Sequence, residues 1–307
     1  MNPAKHLRAL AAAGLVFVAL ALPAHPAPAP AGTAAAADDI PRRQRRSPAA
    51  VRVVSANIRH DFAADFKSGD SWDRRRKLAL DVLLAQDADI FCFQELRLNI
   101  YDYLKENLPG FAAFYGVAEA SKNAVFYSTA RFEEIEGRAY WLSETPDIPF
   151  SHLPKSGDRL ANRILLRDKL TGRQFLVWNA HLQHDNADVR DRQAAILTEL
   201  AQKDFAAIPQ IWTGDFNAGI KEKTIQRIFA AGWLDSYAGV HGPADPGFTF
   251  HGFAGKKYKK NPGAGKIDFV FHNARLRPTA AEVIRDSRAG RYPSDHFFVS
   301  AEFEYEK

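Results

Sequence analysis

The hydrophobic pattern of the chain changes near residue 51. From Val51 to Ile58 apolar and polar positions alternate, which predicts a strand ending at Asn57. Over residues 72–85, Trp72, Leu78, Leu80, Val82, Leu83 and Leu84 surround basic Arg74 to Lys77 in the manner of an amphipathic helix. A buried strand is predicted over 89–93, ending at Gln94-Glu95, and a helix over 99–108, stopped by Pro109-Gly110. Short β-type segments follow at 111–115, 123–127, 132–142, 163–167 and 174–180. Gly, Asp, Ser and Pro separate them, so they are expected to form an antiparallel sheet. Helices over 187–205 and 223–231 bracket a strand at 210–213, and strands over 266–271, 279–284 and 297–303 close the pattern. No fixed residue period recurs, which excludes solenoids and propellers. Two strand-rich halves with helices outside them predict an α/β fold, a four-layered α/β/β/α sandwich of two mixed β-sheets.

The first 50 residues read differently. Lys5 and Arg8 precede an unbroken apolar run from Ala9 to Leu22, followed by proline and small residues, as in a secretory signal. The run falls short of the roughly 20 residues that span a bilayer, so cleavage is expected, with no stable membrane insertion afterwards. Residues 1–24 are assigned to this signal, with small-residue cleavage sites as late as Ala37. Residues 25–50, rich in Ala, Pro and Arg, are expected to be a disordered linker, and 51–307 a single catalytic domain. A secreted or periplasmic monomer is the expectation.

Charge narrows the partners. The net charge is +5, but six cations (Lys5, Arg8, Arg42, Arg43, Arg45, Arg46) face only Asp38 and Asp39 before residue 51. The folded part is therefore nearly neutral, and a polyanion partner must be argued from local clusters. Cys92, the only cysteine, lies within an apolar strand, reads as a buried inert thiol, and excludes an intrachain disulfide.

The candidate chemistry sits where predicted strands end. Glu95, at the tip of a buried strand, is placed to hold Mg²⁺ or Mn²⁺, or else to face the dipole of the next helix. In Gly214-Asp215-Phe216-Asn217 the turn holds Asp215 and Asn217 on one side: Asp215 to accept a proton from water, Asn217 to donate to a phosphate oxygen. His181 ends another strand and can protonate a leaving oxygen, with His184 and Asp185 as secondary choices. Asp268 lies among apolar residues and needs a partner; His296, in Ser294-Asp295-His296, satisfies it better than Lys266 or Arg275. Lys256, Lys257, Lys259 and Lys260, interleaved with Tyr258 and preceded by Phe248, Phe250, His251 and Phe253, are candidates for a polyanion contact or a solvated loop.

Assembled, these motifs resemble the endonuclease/exonuclease/phosphatase superfamily, whose fold is deoxyribonuclease I-like, over about 53–303. Asn57-Ile58-Arg59, Gln94-Glu95, Asn179 to His181, Gly214 to Asn217, Ile267-Asp268 and Ser294-Asp295-His296 carry the resemblance in order. Narrower stretches, such as Trp141 to Pro146 and Gly290 to His296, resemble a bacterial branch of hydrolases within that superfamily. The resemblance implies Mg²⁺ or Mn²⁺ on Glu95 with Asn57 and Asp295 nearby, Asp215 and Asn217 on the nucleophile, and His296 paired with Asp268. His181 would face the scissile phosphate, with Arg59 and Arg163 on the substrate. The expected protein is a secreted metal-dependent phosphoesterase with a nuclease-like substrate, nucleic acid included. A sphingomyelinase- or inositol-phosphatase-like hydrolase and a non-catalytic surface binding module are the alternatives.

Overall fold

The computed structural model describes residues 40–117, 122–205, 207–259 and 265–306. The proposed signal lies outside them, as does Lys260. Twelve strands and six α-helices form the described part. One sheet contains β1 (Val51–Asn57), β2 (Ile90–Gln94), β3 (Phe111–Phe114), β4 (Ala124–Ser128), β11 (Leu276–Ile284) and β12 (Phe298–Tyr305), in the order β11-β12-β1-β2-β4-β3. The other contains β5 (Phe132–Trp141), β6 (Leu160–Asp168), β7 (Gln174–His181), β8 (Gln210–Asp215), β9 (Leu234–Asp235) and β10 (Asp268–His272), in the order β5-β6-β7-β8-β10-β9. Both sheets are mixed: β1 runs parallel to β2, and β7 to β8, while every other pairing is antiparallel. The strands from β3 to β7 pair antiparallel, as their turn residues predict, but divide between the two sheets rather than forming one, and the helix α4 (Ala187–Phe205) carries the chain from β7 to a parallel β8.

Period-two alternation builds the layers. On β1, Val51 and Val53 enter a core shared with Val177, Ile211 and Val270 of the opposite sheet, while Val54 and Ala56 face a second core under α2 (Trp72–Leu84) and α3 (Leu98–Asn107). A third core packs Trp178, Trp212 and Phe271 beneath α4 and α5 (Lys223–Ala230). Because both faces of both sheets are covered, the central strands read as nearly continuous apolar runs. Cys92 lies in the inner layer, and burial pushes its thiol up to about 12, in keeping with an inert role. Two short helices, α1 (Ala63–Ser68) and α6 (Ser236–His241), together with β9, escape prediction, being too short to show a period.

The structure corrects the linker. Residues 40–50 lie against the domain as an extended strap whose side chains alternate inward and outward. Arg43 contacts Glu282 and Asp286, at 2.6 and 2.5 Å, and its backbone N–H donates to the carbonyl of Ala85 at 2.7 Å. Arg45 pairs with Asp87 at 3.1 Å and with Asp89 at 2.7 Å. Buried Arg131 donates to the carbonyls of Ala49 and Ala50, both at 2.5 Å, and pairs with Asp168 at 3.1 Å. Two of the arginines that suggested a solvated segment, Arg43 and Arg45, are thus paired with acids distant in sequence. Removing residues 1–50 rather than 1–39 is expected to lower the unfolding free energy by roughly 2–4 kcal/mol, the sum of several partly exposed pairs and the orphaned Arg131. Urea denaturation of the two chains measures this, and equal midpoints would show that the strap contributes nothing.

Candidate functional site

The inner layer becomes polar at one end. Along β2 the inward series is Ile90, Cys92, Gln94; along β7 it is Phe175, Val177, Asn179, His181; along β8 it is Ile211, Thr213, Asp215. Registry aligns the last of these across strands. His181 of β7 lies opposite Asp215 of β8, which lies opposite Asp268 of β10, and in the other sheet Asn57 lies opposite Gln94. Gly214 permits this approach, since a Cβ there would fall 1.9 Å from the carbonyl oxygen of Ala180. Beyond the strand ends, Arg59, Glu95 and Asn217 adopt left-handed backbone, with φ of 58°, 57° and 49°, so each turn bends abruptly into the site.

The result is a cleft of about 610 Å³ in which both sheets contribute side chains. The Asn57 amide donates to Glu95 Oε1 at 3.2 Å and to Asp215 Oδ2 at 3.0 Å, linking one sheet to the other. His296 Nδ1 lies 2.9 Å from Asp268 Oδ2, and its Nε2 points toward Asp215 Oδ2 at 3.8 Å. His181 Nε2 reaches the same Asp215 oxygen at 3.4 Å. Asp215 Oδ1 accepts the backbone N–H of Asn217 at 2.9 Å, and Asn217 Nδ2 donates to the carbonyl of Leu182 at 3.0 Å. Asp295 meets Arg59 Nη1 at 3.1 Å.

These contacts divide the ionisable groups. Burial and the neighbouring Asp268 push Asp215 up to about 7, against the pull of His296. Burial disfavours the charged form of His296, but Asp268 and Asp215 outweigh it and raise the imidazole to about 10. Burial also works against Glu95, yet its contact with His60 and the charge of His296 hold its carboxylate well below the ordinary range. Desolvation, reinforced by Arg159, keeps His181 neutral. The two imidazoles thus differ: burial disfavours charge on His181, while its acidic neighbours favour charge on His296.

A family model for the endonuclease/exonuclease/phosphatase family matches residues 54–296. The chain belongs to that family. Family members are hydrolases of phosphoester bonds that work with a divalent metal, and this chain is a phosphoester hydrolase. An endonuclease/exonuclease/phosphatase family protein from Bacteroides thetaiotaomicron is 28% identical, with a TM-score of 0.76 over 85% of this chain and 100% of its own. A mannosyl-6-phosphatase of the same organism is 28% identical, with a TM-score of 0.75 over 83% of this chain and 100% of its own. The 3'-5'-exoribonuclease subunit Ccr4 of Yarrowia lipolytica is 24% identical over 77% of this chain, which spans only 44% of that protein.

Within this family member, Asn57, Glu95, His181, Asp215, Asn217, Asp268, Asp295 and His296 come together as the sequence predicts, and Arg59 lines the same cleft. Asp268 takes His296 rather than Lys266, which pairs with Asp235 at 2.5 Å. Arg163 is the exception. It is buried on β6, opposite Trp178, with Nη1 3.1 Å from Glu136, three residues along the strand from the cleft-lining Leu160 and thus about 10 Å away. Arg159, in the loop before β6, lines the cleft instead, with Nε 3.2 Å from Gln183 Oε1. Lys257 and Lys259 flank a shallower hollow that shares Phe250 with the cleft, and Lys256 is exposed beside them. Two positioning residues also go unread in the sequence. Thr249 Oγ1 accepts the N–H groups of Ile267 and Asp268 at 3.0 and 3.2 Å, while its carbonyl accepts that of Phe297 at 2.8 Å, clipping Asp268 and His296 together. Buried Arg75 donates to the carbonyls of Ile58 and Pro293, at 2.6 and 2.9 Å, and to that of Arg59. Both look like ordinary helix or loop residues in sequence.

Arg159→Ala is expected to reduce kcat/KM for a phosphate ester by about 10- to 100-fold, the size of one lost charge-assisted contact, with little change in melting temperature. Arg163→Ala should do the reverse. Steady-state kinetics and thermal denaturation of both variants distinguish them, and swapped phenotypes would reject the placement.

Proposed function

We propose that this hydrolase is a divalent-metal-dependent phosphoesterase acting on a compact phosphate ester, with a phosphomonoester on a hydroxyl-rich group favoured. The observation that carries the reading is the convergence of Glu95, Asp215 and the Asp268–His296 pair in one bounded cleft. A volume near 610 Å³ is that of a small-molecule site. The similarity to the mannosyl-6-phosphatase over that protein's full length supports the same choice. The lysines at 256, 257 and 259 beside Phe250 favour a second, nuclease-like reading, in which a nucleic-acid end enters the cleft and its tail crosses that loop.

The oxygen donors of Glu95 and Asp295 suit a hard cation such as Mg²⁺ or Mn²⁺, and a half-buried Glu95 held ionised is the kind of carboxylate that such an ion requires. When bound, the ion supplies charge to a phosphoryl oxygen and to the leaving oxygen. Asp215, near 7, accepts a proton from the attacking water at Oδ2, the oxygen that also faces His181 and His296. The His296 imidazolium, oriented by Asp268, presents Nε2–H to the negative charge that develops on phosphorus-bound oxygen. Neutral His181 donates a hydrogen bond at the same point, and Arg159 and Arg59 hold the remaining phosphate oxygens.

Glu95→Gln and His296→Ala are each expected to lower kcat on a generic phosphate ester by at least about 10³-fold, and EDTA should abolish wild-type turnover until Mg²⁺ or Mn²⁺ is restored. A phosphatase assay with sugar phosphates alongside oligonucleotides decides the substrate class; full activity in both variants would reject the mechanism. Lys5, Arg8 and the apolar run that follows support export with cleavage before the strap. N-terminal sequencing of protein recovered from the periplasm or medium should begin between residues 25 and 40, and a retained Met1 would sink that proposal.

A further inference from the structure

His60 enters the chemistry so far only through its effect on the Glu95 carboxylate, yet it lines the cleft beside it. The left-handed turn at Arg59, with φ of 58°, bends the chain back as it leaves β1, and the His60 ring lies over Glu95. The ring is held in place by Phe62, whose centroid is 4.3 Å away. Its Nδ1 lies 3.0 Å from Glu95 Oε2. Although buried, that nitrogen has no hydrogen-bond partner, so its in-plane direction passes beside the carboxylate oxygen rather than meeting it. Oε2 instead accepts the backbone N–H of His60, at 3.3 Å.

Two donors that approach to 3.0 Å without bonding to each other have a familiar geometry. Donors each about 2.1 Å from one octahedral cation stand about 3.0 Å apart along a cis edge. The neighbours offer less. Asn57 turns its amide nitrogen toward Glu95 and Asp215, and its Oδ1 accepts the N–H of Arg59 at 3.1 Å. Asp295 is engaged by Arg59. Asn57 thus turns its amide nitrogen to the carboxylates, and the uncommitted donor next to Glu95 is a nitrogen of His60.

We propose that His60 Nδ1 is a direct ligand, beside Glu95, of the divalent cation that serves this site. The inference rests on the metal-dependent reading above and extends it to a residue that reading does not use. An imidazole in the ligand set favours a transition ion, because Mg²⁺ retains oxygen ligands and water whereas Mn²⁺ accepts nitrogen readily.

The test uses untagged protein, Mn²⁺ and Mg²⁺ as probes, and two variants, His60→Ala and His60→Asn, each first shown to melt as the metal-free wild type does. Calorimetry should show Mn²⁺ affinity falling by about 10-fold or more in His60→Ala, with Mg²⁺ affinity changing by less than about 3-fold. Pulsed EPR of the Mn²⁺ form should show a directly bound ¹⁴N coupling in the wild type that is lost in both variants. A wild type that binds neither ion overturns the metal reading and this inference together. An ion bound with the same affinities and the same nitrogen coupling in His60→Ala overturns this inference alone.

Discussion

The separation of the two sheets at the cleft is set by one buried amide. Asn179 of β7 accepts from Gln94 Nε2 of β2 at 2.7 Å and donates to the carbonyls of Phe93 and Ala124 at 2.8 and 3.1 Å. Its amide thus ties one sheet to the other through both its oxygen and its nitrogen. Two layers of valine and phenylalanine can slide over one another at little cost, but this contact cannot, since slippage would leave buried amides and carbonyls unpaired at about 1–3 kcal/mol each. The chemistry depends on that rigidity. Glu95 belongs to one sheet and Asp215, Asp268 and His181 to the other, so the distance between them is the distance between the sheets.

Rigidity lets similar groups acquire different tasks. Glu95 and Asp215 are both carboxylates of the cleft, yet His60 and His296 hold the half-buried Glu95 ionised while burial and Asp268 push Asp215 toward neutrality. His181 and His296 differ in the same way, one facing Arg159 and the other lying between two acids. Environment rather than residue type assigns the roles, and it can do so only because the neighbours are fixed.

What was legible in the sequence follows the range of the interactions involved. The central strands and long helices announce themselves by periodicity, and the site residues do so because a polar group ending an apolar strand is costly without a purpose. Arg163 comes from the resemblance rather than from such a pattern, and the fold buries it on β6 with Nη1 on Glu136, away from the cleft. Arg159 was missed because a loop has no period against which it could stand out. The strap was misread because its neutralising acids, Glu282, Asp286, Asp87 and Asp89, lie far along the chain from Arg43 and Arg45. His60 belongs with these, since its meaning depends on the direction of one ring nitrogen.

The two ends of the inner layer use charge in opposite ways. Beneath the strap, Arg131 faces Asp168 and Asp89, Arg45 faces Asp89, and Arg52 lies 3.4 Å from Glu302, so that each acid meets a guanidinium. Burying such pairs adds little net stability, but breaking one is expensive, and the arrangement closes the apolar layer in a single register. At the cleft the same layer ends in groups whose demands are not all met within the protein: Asp215 is driven toward neutrality, and His60 Nδ1 lacks a partner. Groups left short in this way gain most from a phosphate and a cation.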